Sequence, residues 1–78
     1  MNHEDIFNKV QEMVVETLEV EPLDVREDTT FDDLGADSFD KLELVTALED
    51  EFNLSLDDEV LMNIAAISDA VEAIEQAQ

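Results

Sequence analysis

Apolar residues recur at spacings of three and four through residues 4–18. Ile6, Val10, Met13, Val14, Thr17 and Leu18 make one stripe, which Phe7 and Val15 widen. That period is the signature of an amphipathic helix. Glu4 and Asp5 stand near its start, where acids suit the helix dipole, and Pro22 lies beyond its end. A second pattern runs over 38–52, with Leu42, Val45, Leu48 and Phe52 on one face and Leu44 beside Leu48. Asp40, Glu43, Glu49 and Asp50 line the opposite stripe. At ~1.5 Å per residue this element is about 20 Å long. "NLSLD" at 53–57 breaks the period, and residues 58–63 around Val60, Leu61 and Met62 suit a short helical turn. Ser68 is a candidate N-cap with Asp69 in the first turn of a last short helix, whose face carries Val71 and Ile74.

Residues 19–37 form a long polar connection with isolated apolar residues at Val20, Leu23, Val25, Phe31 and Leu34, which are expected to pin it to the core. "PLDV" within it suits one helical turn. A connection of this length without regular structure is uncommon in a compact domain and usually functional. No strand and no internal repeat is predicted. The expected fold is therefore all-α, a single domain over 1–78. It is a small antiparallel bundle of three main helices plus one short one, with a long loop between the first two.

Composition narrows the function. A chain of 78 residues buries a small core, and without cysteine it has neither a disulfide nor a thiolate metal site. Twenty-three acids against Lys9, Arg26 and Lys41 give a formal net charge of −20. Nucleic acid and anionic membranes would be repelled, whereas a basic protein surface would be attracted. Disorder is disfavoured because 45% of the residues are hydrophobic and fall in periodic groups. The polar start "MNHEDIFNK" lacks the apolar run of a signal peptide, and no stretch suits a membrane span, so a cytoplasmic location is expected.

The chemistry concentrates in "DLGADSF", residues 33–39, which holds the only glycine of the chain. A nucleophilic serine needs a base and oxyanion donors. The one histidine, His3, is remote in sequence, and Lys41 is expected to point at solvent. A hydrolase elbow would need glycine two residues either side of Ser38, where Ala36 and Asp40 stand. Taken alone, Ser38 or Asp37 reads as the N-cap of the helix that follows, and Gly35 as a turn residue with positive φ. An EF-hand frame starting at Asp28, Asp32 or Asp33 fails, which leaves only weak surface binding of divalent ions.

The longer string "FDDLGADSFDKLELVTALEDEF", Phe31 to Phe52, closely resembles the attachment segment of acyl carrier proteins of the freestanding kind that serves fatty acid synthesis. "VETLEV" at 15–20 and "AISDAVEAI" at 66–74 extend the likeness more loosely. The resemblance implies a carrier, not an enzyme. Ser38 would bear 4′-phosphopantetheine, transferred from coenzyme A by a separate holo-carrier-protein synthase, with acyl groups held as thioesters on the arm. Gly35 would provide the turn and leave the serine uncrowded, and Asp37 would meet the synthase. Phe39, Asp40, Glu43, Glu49 and Asp50 would dock basic patches on fatty acid synthesis enzymes, and a monomer is expected. A phosphodiester at Ser38 also suits a helix N-terminus. The chain departs from the family's common pattern at Phe39, usually leucine, and at Lys41 and Thr46, where a neutral and an apolar residue are common. It departs again in "DDEVLMNIAAIS", which lacks the usual proline-plus-acid start and threonine pair. Two rival expectations are a carrier for a polyketide or specialised lipid pathway, and an unmodified acidic interaction protein in which Ser38 only caps.

Overall fold

The computed structural model describes residues 2–77. Helix α1 spans His3–Leu18. Asn2 caps it, its side chain accepting from the Asp5 N–H at 2.8 Å. The stripe read from the sequence buries Ile6, Val10 and Val14 completely. Glu19 ends α1 in a left-handed conformation with φ 56°. A 3₁₀ turn, Pro22–Asp24, follows where "PLDV" suggested one. Gln11 on α1 fastens it by donating to the Pro22 and Val25 carbonyls at 2.9 and 3.0 Å.

Helix α2 spans Ser38–Phe52, α3 Asp58–Asn63 and α4 Ile67–Ala77. Helix α1 packs against both α2 and α4. The shared core is aliphatic: Leu44, Val45 and Leu48 come from α2, and Ile67, Ala70, Val71 and Ile74 from α4. Among the described residues there is no strand, and the helical bundle stands as expected. The one sheet-like feature is an isolated antiparallel bridge between Thr30 and Ala66. Through it the long loop is tied to α4, with the Phe31 N–H on the Ala65 carbonyl at 3.0 Å and the Ile67 N–H on the Thr29 carbonyl at 2.8 Å. Val25 and Phe31 insert into the core and pin the loop as predicted.

Several local expectations are corrected. Leu23 is 82% exposed and pins nothing, because the 3₁₀ turn points it outward. Helix α4 begins before Ser68, and the cap comes from within. Asp69 in the first turn accepts from the Ala65 and Ala66 N–H groups at 3.1 and 2.9 Å, while the Ser68 N–H serves the Glu27 carbonyl. Leu42, placed by period on the core face of α2, is 53% exposed. The core face runs instead through Leu44, Val45, Leu48 and the half-buried Phe52.

Among the described residues two ion-pair clusters link the elements. His3 at the start of α1 bonds Glu75 of α4 through Nδ1 at 2.8 Å and Glu27 of the loop through Nε2. These carboxylates, Glu75 foremost, raise its pKa above the ordinary histidine value. Lys9 joins α1 to α2 through Glu51 at 2.7 Å, with Glu12 at 3.9 Å, and its pKa is also raised, chiefly by the bond to Glu51.

Candidate functional site

The "DLGADSF" segment folds as a tight turn that delivers α2 to the surface. The Leu34 and Ala36 N–H groups both donate to the Phe31 carbonyl, at 3.1 and 3.0 Å, and the Gly35 N–H donates to that of Asp32 at 3.0 Å. Gly35 has φ +80°, a region where a side chain is strained. A Cβ there would meet nothing within 4 Å, so glycine provides the backbone turn and not clearance for the serine. Buried Phe31 and Ala36 anchor the turn to the core.

Asp37 is the N-cap of α2. Its carboxylate accepts from the Asp40 N–H at 2.8 Å, and Asp40 returns a longer bond, 3.4 Å, from the Asp37 N–H. Ser38 is the first helical residue and is exposed. Of the two capping candidates it is the aspartate that caps, which leaves the serine hydroxyl out of that task. Phe39 beside it is 71% exposed.

Ser38 opens onto two hollows. The larger, about 390 Å³, runs between α2 and α3 and is walled by Ser38, Lys41, Leu42, Val45, Leu61 and Met62. A smaller one, about 200 Å³, lies towards the loop and includes Phe31, Asp37, Ser38, Lys41 and Ile64. Another hollow, about 480 Å³, lies among Asp24, Arg26, Asp28 and Asp33 and shares no residue with Ser38's surroundings. The apolar groove explains Leu42: it stands one turn on from Ser38, so a helix that turns the serine outward turns Leu42 outward with it.

Lys41 does not point at solvent as expected. Its Nζ donates to the Ile64 carbonyl, the C-cap of α3, and the side chain is half-buried. On the acidic stripe, Glu43 and Asp50 are exposed. Asp40 is half-buried and engaged in the cap. Glu49 departs from the solvent-facing role expected of it, because its carboxylate accepts from the Leu56 N–H at 2.8 Å and holds the segment between α2 and α3. Among the described residues no cluster of three or more potential ligands is arranged to hold a metal ion.

These residues fit a covalently attached arm. The hydroxyl at Ser38 is exposed, it sits at the positive end of a helix, and an apolar groove begins beside it. The one histidine of the chain, His3, is bonded to Glu75 and Glu27. Sequence reasoning missed the groove itself, because Leu61 and Met62 reach it only through the fold.

Residues 8–74 match the family model described as the phosphopantetheine attachment site. The chain is 49% identical over 71 residues to the acyl carrier protein of Wolinella succinogenes, covering 90% of this chain and 93% of that one. It is 47% identical over 76 residues to the acyl carrier protein of Prochlorococcus marinus, covering 96% and 95%. Among solved structures it is similar to the acyl carrier protein of Thermotoga maritima, with TM-score 0.86, 31% identity, and coverage of 99% of this chain and 91% of that one. It is also similar to that of Enterococcus faecalis, with TM-score 0.83, 32% identity and full coverage of both chains, 100% each.

Proposed function

This chain belongs to the acyl carrier proteins, and from that premise we propose that it holds acyl chains on a 4′-phosphopantetheine arm attached to Ser38 and delivers them to the enzymes of fatty acid synthesis. Proteins of this family are carriers and not enzymes. The observation that supports Ser38 is its position: an exposed hydroxyl at the first residue of α2, with Asp37 taking the capping task. The arm supplies a thiol, which this cysteine-free chain otherwise lacks, and acyl groups ride on it as thioesters.

The chain's own residues position and present the arm. Gly35 and Asp37 fix the turn and the helix start, so the hydroxyl is offered at a defined place. Phe39, Glu43 and Asp50 are exposed beside it and along α2, where a basic enzyme surface can dock. Asp40 and Glu49 act mainly within the fold, as cap and tether, and lend charge to that face. The whole of residues 1–78 is one carrier domain, working as a monomer in the cytoplasm, and its first partner is the holo-carrier-protein synthase. None of the helices in the described residues is long and apolar enough to cross a membrane.

The test is loading. Wild type and Ser38→Ala are incubated with coenzyme A and a broad phosphopantetheinyl transferase and weighed intact. Wild type gains one arm and the alanine variant none. The variant should melt as wild type does, since surface changes away from caps and packing stay within about ±0.5 kcal/mol. An arm on the alanine variant would refute the assignment. Identification of the acyl chain on protein from its own host separates fatty acid synthesis from a polyketide or specialised lipid pathway.

A further inference from the structure

We infer that Lys41 is the positioning residue for the arm's phosphate: its ammonium bridges a phosphodiester on Ser38 to the end of α3 and so lays the arm into the groove between α2 and α3. The inference rests on the attachment at Ser38 proposed above. Lys41 lies three residues on from Ser38, on the neighbouring turn of α2, where Cβ atoms are about 5–6 Å apart. Side chains on a helix lean towards its N-terminus, so the lysine stem leans towards the serine. The ammonium ends on the Ile64 carbonyl, and Ile64, Lys41 and Ser38 share the walls of one small hollow. A carbonyl uses only part of an ammonium's donor capacity, and the rest is left for an anion.

Charge selects the same residue. In a chain of net charge −20, His3 and Lys9 are taken by carboxylates, whereas among the described residues Lys41 and Arg26 make no ion pair, and Arg26 lines the separate hollow that shares no residue with Ser38's surroundings. The helix start beside it is already occupied by the carboxylates of Asp37 and Asp40. A phosphodiester added there brings one more negative charge into an acidic site. Lys41 is the cation placed to meet it, held ready by a neutral backbone group. Beyond Lys41 the groove wall turns apolar, through Leu42, Val45, Leu61 and Met62. A phosphate fixed at Lys41 therefore points the remainder of the arm along a path that suits an acyl chain.

The test compares apo and arm-bearing forms of wild type, Lys41→Met and Lys41→Arg. Methionine keeps an apolar stem without the charge, and arginine keeps the charge. Attachment should raise the melting temperature in wild type and Lys41→Arg by about 2–5 °C relative to its effect in Lys41→Met. The ³¹P resonance of the arm should move in Lys41→Met and return towards the wild-type position in Lys41→Arg. A purely structural tether to Ile64 would lower the apo and arm-bearing forms equally and leave the ³¹P resonance unchanged, which would overturn the inference. Should Lys41→Met not fold, Lys41→Gln carries the same comparison. If wild type takes no arm at Ser38, it is the attachment reading that falls, and this inference with it.

Discussion

Asp37 caps α2 and, on the proposed function, also meets the synthase, and substitution can divide the two tasks. As N-cap it accepts one short bond, 2.8 Å from the Asp40 N–H; the reciprocal bond at 3.4 Å is long and contributes less. Removing an N-cap costs about 1 kcal/mol, within a range of ~0.5–2. For a domain of this size each kcal/mol moves the midpoint by about 4–8 °C. Asp37→Ala should therefore melt about 4–8 °C below wild type. Asp37→Asn keeps a capping oxygen, since asparagine caps as well as aspartate. It gives up a favourable dipole interaction of ~0.3–1 kcal/mol, but it also relieves repulsion in a chain of net charge −20. These nearly cancel, and Asp37→Asn should melt within about 2 °C of wild type. Loading by the synthase groups the variants differently, because both lack the carboxylate: both should load more slowly than wild type. Thermal melts and a timed mass assay read the two tasks separately. An Asp37→Ala variant as stable as wild type, or an Asp37→Asn variant as unstable as Asp37→Ala, would refute the cap argument.

The remaining predictions concern load, pH and docking. An octanoyl load should melt higher than an acetyl load, because the groove beside Ser38 can bury added methylenes at ~0.8 kcal/mol each before the cost of opening it; equal midpoints would count against sequestration. His3 has its pKa raised by Glu75 and Glu27, so its contribution is complete below the unfolded value of about 6.5 and is lost as pH rises through the higher folded value. Stability in low salt should accordingly fall as pH rises above about 6.5, and fall less in His3→Gln; identical slopes would show that the clamp does not hold α1 to α4. Glu43→Lys should slow association with the synthase and weaken its salt dependence, with the melting temperature unchanged or slightly raised, and stopped-flow binding at wild-type rates would remove Glu43 from the docking face.

The core stripes of α1 and α4, the short α3, the turn at "PLD" and the boundaries of α2 were all legible in the sequence, because each is a local matter of periodicity and chain-breaking residues. The turn ahead of α2 was legible in part: "LGADS" places a glycine turn and a capping residue before the helix, and the fold decides that Asp37 rather than Ser38 is the cap. What lay beyond the sequence depended on which neighbour each side chain met. Leu42 has the spacing of a core residue, yet α3 packs so that it walls an open groove with Leu61 and Met62. Lys41 reads as a solvent charge until Ile64, 23 positions on, brings a helix-end carbonyl within its reach. Glu49 belongs to an acidic stripe by spacing and to an internal tether by its bond to the Leu56 N–H. His3, remote from Ser38 in sequence and in use, finds its partners only because α4 returns beside α1. Periodicity reports which way a residue faces along its own helix. Whether that direction holds core, groove, carbonyl or water is decided by the packing of segments far apart in the chain, and no local pattern encodes it.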